Sequence, residues 1–385
     1  MPGNAPKPTP MVHAPWPFDA GPTSGMGLCL SGGGYRAMLF HLGALIRLNQ
    51  LGQLRRLRRV SSVSGGSITA AVLGLRWAEL QWDEHDRATN LAALVVGPVF
   101  AFGGVGIDTS CFWKGMLLPG KTVSGCLADA YDRHLFHGAT LQDLPDDDAG
   151  PRFVIDATNL QTGQQFRFSK PYMGDYTIGI WGTPTTTLAA AVAASSSFPP
   201  FFSPHRTVPS GVYDHTHLPH HSQPEPFLKS LVLSDGGVYD NLGLQTVWSN
   251  CDTVLVSDAG EAFKAHAVQP IDWLRQFVRV ADVMNSQVRA LRKVQLVHSF
   301  LDKQREGAYW SISSDVDAYG LSDPLPFPHE PPGYPAHVAT RLTGLNDQVR
   351  RDLVRWGYVI SDAALRRWVW PDAPRPTDDQ VPYRD

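Results

Sequence analysis

Ser64 lies in the string SVSGGS, Ser62 to Ser67, and a glycine-rich string, SGGGYRA, runs from Ser31 to Ala37 about thirty residues earlier. Each follows a short apolar run, Met26–Leu30 or Leu57–Val63, and precedes a stretch with helical spacing, so both read as strand-to-helix turns. In a parallel α/β sheet such turns gather at the carboxyl edge of the strands, where ligands bind. Ser64, flanked by Ser62, Gly65 and Gly66, has the small neighbours of a nucleophile elbow; a plain glycine-rich turn is the other reading of that string. Gly32, Gly33 and Gly34 leave backbone N–H groups unshielded at a helix start, a cradle for an oxyanion or a phosphate. Together the two strings outline a serine hydrolase.

A dinucleotide fingerprint competes for the same residues, because Gly32, Gly34 and Ala37 satisfy G-x-G-x-x-G/A. That fingerprint needs an acidic residue about 20 positions on, and the first Asp or Glu after Ser31 is Glu79. Arg55, Arg56, Arg58 and Arg59 would suit a 2′-phosphate or a solvated helix end. A base for Ser64 is the remaining requirement. His298, His329 and His337 occupy no distinctive turn, whereas SDGGVYDNLGL, Ser234 to Leu244, follows the apolar run Leu228–Leu233 and puts Asp235 at a strand end before two glycines. A carboxylate walled in there has its pKa raised by desolvation and can serve directly as general base. A near copy, SDAG at Ser257–Gly260, follows the strand Thr253–Val256 and brings Asp258 to the same sheet edge; the paired glycines favour Asp235.

In this order and spacing, SGGGYRA, SVSGGS and SDGG resemble the patatin-like phospholipases, whose catalytic groups are a Ser-Asp dyad. Further likeness lies in FVIDATNLQTG, Phe153 to Gly163, and in AAAVAASSSFPPFFSP, Ala189 to Pro204, and the whole covers roughly residues 26 to 260. The resemblance implies a three-layer α/β/α fold with a mostly parallel central sheet. It also implies hydrolysis of acyl esters in lipids, with Ser64 as nucleophile, Asp235 as base and Gly32, Gly33 and Gly34 at the oxyanion turn. Arg36 matches the family's motif arginine and is expected either to pair with a substrate phosphate or to form a structural ion pair. The sequence departs from the family pattern at Ser31, Ala37 and Ser62, all small replacements that bear on substrate range more than on chemistry.

The chain has 385 residues, 43% of them hydrophobic, enough for a large core. Ser64 and Asp235 must meet, so one catalytic domain, residues 25–370, is expected, with a lid or insertion at about 81–150. A Pro-rich arm, 1–24, precedes it and a tail, 371–385, follows. The four cysteines, at 29, 111, 126 and 251, are scattered, which predicts neither a disulfide framework nor a zinc site. No secretory signal is read at the N-terminus, and a net charge of −3 gives no reason to expect nucleic acid.

Leu91–Ile107 is apolar and uncharged but interrupted by Pro98 and several glycines, so it reads as buried core or as a lid surface shared with Phe112, Trp113, Met116, Leu117 and Leu118, not as a membrane span. Asp214, His215, His217, His220 and His221 read as a surface loop rather than a metal site. Leu274, Phe277, Val278, Ala281, Met284, Val288 and Leu291 recur at helical spacing and predict a long helix packed on the sheet, with a partner-binding face as the other reading. The expected function is a lipid acyl hydrolase, cytoplasmic, with no cofactor or metal and in transient contact with a membrane surface. The alternative is a non-catalytic lipid- or nucleotide-sensing module built on the same pocket.

Overall fold

In the computed structural model the described residues are 25–107, 111, 122–199, 202–216, 218, 227–261, 263, 265, 267, 272–327 and 334–384. The Pro-rich arm, the aromatic residues Phe112, Trp113, Met116, Leu117 and Leu118, and His217, His220, His221 and His329 lie outside them. The apolar runs around the two glycine strings form β1 (Met26–Leu30) and β2 (Leu57–Val63), which pair in parallel. On the other side of β1 lie β10 (Thr253–Asp258) and then β11 (Glu306–Ser311), and beyond β2 lies β3 (Arg152–Asn159), all parallel. From β3 the sheet continues antiparallel through β4 (Gln164–Phe168), β5 (Tyr172–Asp175), β6 (Gly179–Gly182) and β8 (Val212–Asp214), while β7 (His205–Thr207) pairs with β9 (Leu231–Asp235). The architecture is the expected α/β/α sandwich, with its central strands parallel.

Side-chain alternation along β1 divides the core into two layers. Leu28 and Leu30 point into the larger core with α1 (Gly34–Gln50), α2 (Gly65–Arg76) and α9 (Asp347–Trp368); Cys29 points the other way, to Leu244 and Val247 of α7 (Leu244–Trp248) and to Leu296 of α8 (Trp273–Leu301). The remaining helices are α3 (Gly97–Phe102), α4 (Val123–Tyr131), α5 (Leu188–Ser195) and α6 (Gly237–Asp240). The stretch Leu91–Ile107 takes the core reading: Leu91, Val95, Val99, Phe102 and Ile107 are buried. Residues after Trp370 lie along the surface, where Tyr383 stacks on Phe100 and Gln50 donates to the Gln380 carbonyl.

Two expectations are corrected. Cys111 and Cys126 are disulfide-bonded, their Cα atoms 5.3 Å apart, a pairing that the scattered spacing does not signal. The long helix α8 is not packed on the sheet by its apolar stripe: Phe277, Met284, Val288 and Leu291 are exposed. Its polar side is the one that docks, through Arg289 and Lys293 to Asp258 and through Arg292 to Asp240.

Helices α1 and α9 cross at backbone contact. A Cβ on Gly43 would stand 2.0 Å from the Val354 carbonyl oxygen, and one on Gly357 would stand 1.9 Å from that of Phe40. A buried ion pair, Arg47 to Asp362 at 2.8 Å, fixes the same crossing. Gly43→Ala is therefore expected to cost about 1–3 kcal/mol through overpacking, read as a lower Tm or urea midpoint, whereas an unchanged midpoint would show that the helices can separate freely.

Candidate active site

Strand β9 reaches the site from a direction the sequence does not announce. The amino-terminal half of β3 pairs with β2 as far as Val63↔Asp156, and its next residue begins the antiparallel pairing with β9 at Ala157↔Asp235. Strands β2 and β9 thus share one edge of β3 and run toward each other. Their carboxyl ends meet over adjacent β3 residues, which brings Ser64 and Asp235 together. Asp258, at the end of parallel β10, does not share this junction.

At the end of β2 the backbone turns sharply into α2. Ser64 has φ 52° and ψ −120°, a left-handed setting that costs a non-glycine residue about 1–3 kcal/mol and aims the side chain out of the turn. Its N–H donates to Ser195 Oγ at 2.9 Å, and Ser195 Oγ donates to the Asp156 carbonyl at 2.7 Å. Gly65 has no room for a side chain, since a Cβ there would lie 2.0 Å from the Gly34 carbonyl oxygen. The end of α5 also holds the aspartate: Asp235 N–H donates to Ser197 O at 3.1 Å and Gly236 N–H to Ser195 O at 3.2 Å.

Asp235 is 3% exposed. Burial pushes its carboxyl up to about 7, against the opposing pull of the Gly237 N–H, which donates to Oδ1 at 2.6 Å, and of the nearby Ser64 hydroxyl. Asp258 has the contrary character. Burial alone would raise it, but Lys293, at 2.6 Å, and Arg289 hold it well below the usual carboxylate range, and Tyr309 donates to Oδ2. It is an ionised anchor for α8. Beneath the junction, Asp156 is pushed up to about 8 by burial, and Ser61 donates to its Oδ2 at 2.7 Å.

The glycine turn packs beside Ser64 in the wall of a cavity of about 700 Å³. Gly32, Gly33, Gly34, Ser64, Asp235 and Asn241 all line it. The N–H of Gly32 is committed to the Asn241 carbonyl at 3.1 Å. Gly33 and Gly34, with φ 148° and 60°, have no hydrogen-bond acceptor for their N–H groups among the described residues and are the donors left for an anion. The turn is braced from above by residue 341, whose carbonyl accepts the Tyr35 N–H.

The expectation that Arg36 meets a substrate phosphate is corrected. Its side chain is fully buried: Nε and one terminal nitrogen donate to the Ala259 carbonyl at 3.0 and 2.9 Å, and the other donates to Val338 O at 2.7 Å. It takes the structural reading, tying the turn to the loops after β10 and before α9. Ser31 works alongside it by accepting the Ala259 N–H at 2.8 Å.

Ser195, Ser197, Asn241, Asp156 and the 337–342 segment were not singled out for roles from the sequence. Only the run of serines at the end of α5 carries a local signal, and the contacts by which it reaches Ser64 and Asp235 are long-range. Of the histidine loop, Asp214 belongs to β8 and accepts hydrogen bonds from Thr216. Among the described residues no cluster of His, Cys, Asp or Glu could hold a metal, and no helix is long and apolar enough to cross a membrane.

Comparison with known proteins bears on the family and the fold. The sequence profile of Patatin-like phospholipase matches residues 28–248. Human GIVD cytosolic phospholipase A2 is similar in structure, with a TM-score of 0.50 at 12% identity over 89% of this chain and 58% of that one. The same human enzyme in complex with methyl gamma-linolenyl fluorophosphonate gives 0.50 at 14% identity, over 91% and 59%. VipD from Legionella pneumophila gives 0.34 at 15% identity, over 88% and 66%. This chain therefore spans less than two thirds of the length of those structures, and at such identities the likeness speaks to the fold. No curated protein matches it in sequence. With the profile covering more than half of its length, the chain belongs to the patatin-like phospholipase family.

Proposed function

We propose that this protein is a lipid acyl hydrolase working through a Ser64–Asp235 dyad and an acyl-enzyme. The observation that carries the reading is the head-on junction of β2 and β9, which brings Ser64 and the buried carboxyl of Asp235 to the wall of one cavity. Ser64 Oγ attacks the ester carbonyl as Asp235 takes the hydroxyl proton. The developing oxyanion is met by the N–H groups of Gly33 and Gly34, donors of a kind worth about 10²- to 10³-fold in rate each. Asp235 then returns the proton to the departing alcohol, the acyl-enzyme remains on Ser64, and a water deprotonated by Asp235 releases the fatty acid. A base poised near 7 matches neutral operating conditions. Family membership supports a lipid ester as substrate. The cavity supports an acyl chain, with Phe198, Phe202, Phe263 and Leu342 in its lining.

A fluorophosphonate probe tests the nucleophile: wild-type protein is expected to be labelled with loss of fluoride, and Ser64→Ala to take up none. A folded wild-type protein that is never labelled would sink the hydrolase reading in favour of a non-catalytic lipid- or nucleotide-sensing module.

Asp235 acts only when ionised, so kcat/KM for a soluble ester is expected to rise with pH and level off above about 7. Asp235→Asn is expected to lower it about 10²- to 10⁴-fold. The same residue shapes stability with the opposite sign. Between its ordinary value of 3.8 and about 7 the native state holds a proton that the unfolded state releases, so stability falls as pH rises through that window. The Asn variant avoids burying a charge and is expected to melt higher than wild type above pH 7, the difference shrinking toward acid. Equal melting temperatures across the range would contradict the raised value.

A further inference from the structure

Helix α8 is amphipathic in an inverted sense. Its charged residues, Arg275, Arg279, Asp282, Arg289, Arg292 and Lys293, fall on one side of the helical wheel. Arg289, Arg292 and Lys293 on that side hold the buried carboxylates of Asp258 and Asp240, and Arg279, Asp282, Asn285, Ser286 and Arg289 line the cavity. The opposite side carries Trp273, Phe277, Val280, Met284, Leu291 and Val294, with Met284 64% and Leu291 67% exposed. The helix is about 44 Å long, and no Asp, Glu, Lys or Arg interrupts that face, which also carries Gln287 and, in the last turn, His298.

We propose that this outward face of α8 is the surface by which the protein lies on a lipid bilayer, with the helix axis in the plane of the interface. The proposal rests on the hydrolase reading for its biological sense, though not for its test. Two observations select lipid over a second copy of the chain. The positions flanking the Trp273, Phe277, Val280, Met284 and Leu291 line are Ala281, Val283, Val288 and Ala290 together with Gln276 and Gln287, so the face is broad and its borders carry no charge. A two-helix seam in water is narrow and is bordered by the charged positions that set its register, whereas an interfacial helix buries a broad apolar face and keeps its cations on the other side. The second observation is continuity with the site. The same helix forms the cavity wall, so a bilayer on its outer face would lie about 10 Å, one helix diameter, from the cavity containing Ser64.

Co-sedimentation with phosphatidylcholine vesicles, run beside hydrolysis of a soluble short-chain ester, tests this. Wild type is expected to pellet with vesicles. Phe277→Glu and Met284→Glu, both away from the cavity lining, are each expected to weaken binding about tenfold or more while leaving soluble-ester hydrolysis unchanged. Val208→Glu, at an exposed apolar residue off the helix, is expected to bind as wild type does. Vesicle binding that is absent in wild type, or unchanged in the two α8 variants, overturns the proposal. So does a wild-type dimer in size-exclusion chromatography that ignores vesicles and dissociates in those variants, since a second copy then covers the face. Vesicle binding lost in the α8 variants, in a protein that hydrolyses no ester, upholds the lipid surface and removes the hydrolase reading instead.

Discussion

The site depends on one strand edge serving two partners. Strand β3 gives its first half to parallel β2 and its second half to antiparallel β9, and the handover falls between Asp156 and Ala157. Two strands converging along a common edge must stop where they meet, and each ends there in a tight turn. Backbone hydrogen bonding fixes the spacing, so the approach of Ser64 to Asp235 does not depend on flexible loops. The end of α5 secures both partners, through Ser195 to the Ser64 N–H and through Ser197 to the Asp235 N–H. The strained backbone of Ser64 persists because the turn is held on every side.

The electrostatics follow from how the two similar aspartates are surrounded. Asp235 and Asp258 each close a strand with the sequence Ser-Asp and are both buried, yet burial pushes one up to about 7 while Lys293 and Arg289 hold the other well below its usual range. The difference arises from α8, which brings its cations to β10 and not to β9. A single helix thereby makes Asp258 a permanent anion, walls the cavity and presents an apolar face outward. Much of that wall, α8 together with the 337–342 segment, lies outside residues 28–248 where the family profile matches. Ser64 and Asp235 thus lie within the span the family profile matches, and much of the cavity wall lies beyond it.

Local sequence made the turns, the strands that feed them and the chemical groups legible. SGGGYRA and SVSGGS follow strands and open α1 and α2, as glycine and small residues after apolar runs dictate. The apolar run before Asp235 marks a strand, and its burial is readable from that. Strand direction was not, because alternation and propensity are the same whichever way a strand runs. Nor does an arginine beside a glycine turn disclose its direction: Arg36 points into the protein, where the carbonyls of Ala259 and Val338 accept its N–H groups. In α8 the periodicity was correctly helical, but period alone does not say which side docks, and buried carboxylates from β10 and the turn after β9 drew in the charged one.

The sequence by itself therefore determined the family and made the candidate nucleophile, the candidate base and the donor-rich turn legible, since these are properties of residue type and near-neighbour spacing. Tertiary structure decided that β9 meets β2 end to end, that Gly32 spends its N–H on Asn241 while Gly33 and Gly34 keep theirs, that Asp258 is paired, and that α8 faces its apolar side outward. Each of these turns on a contact between residues far apart in the chain, where the partner, rather than the residue, sets the outcome.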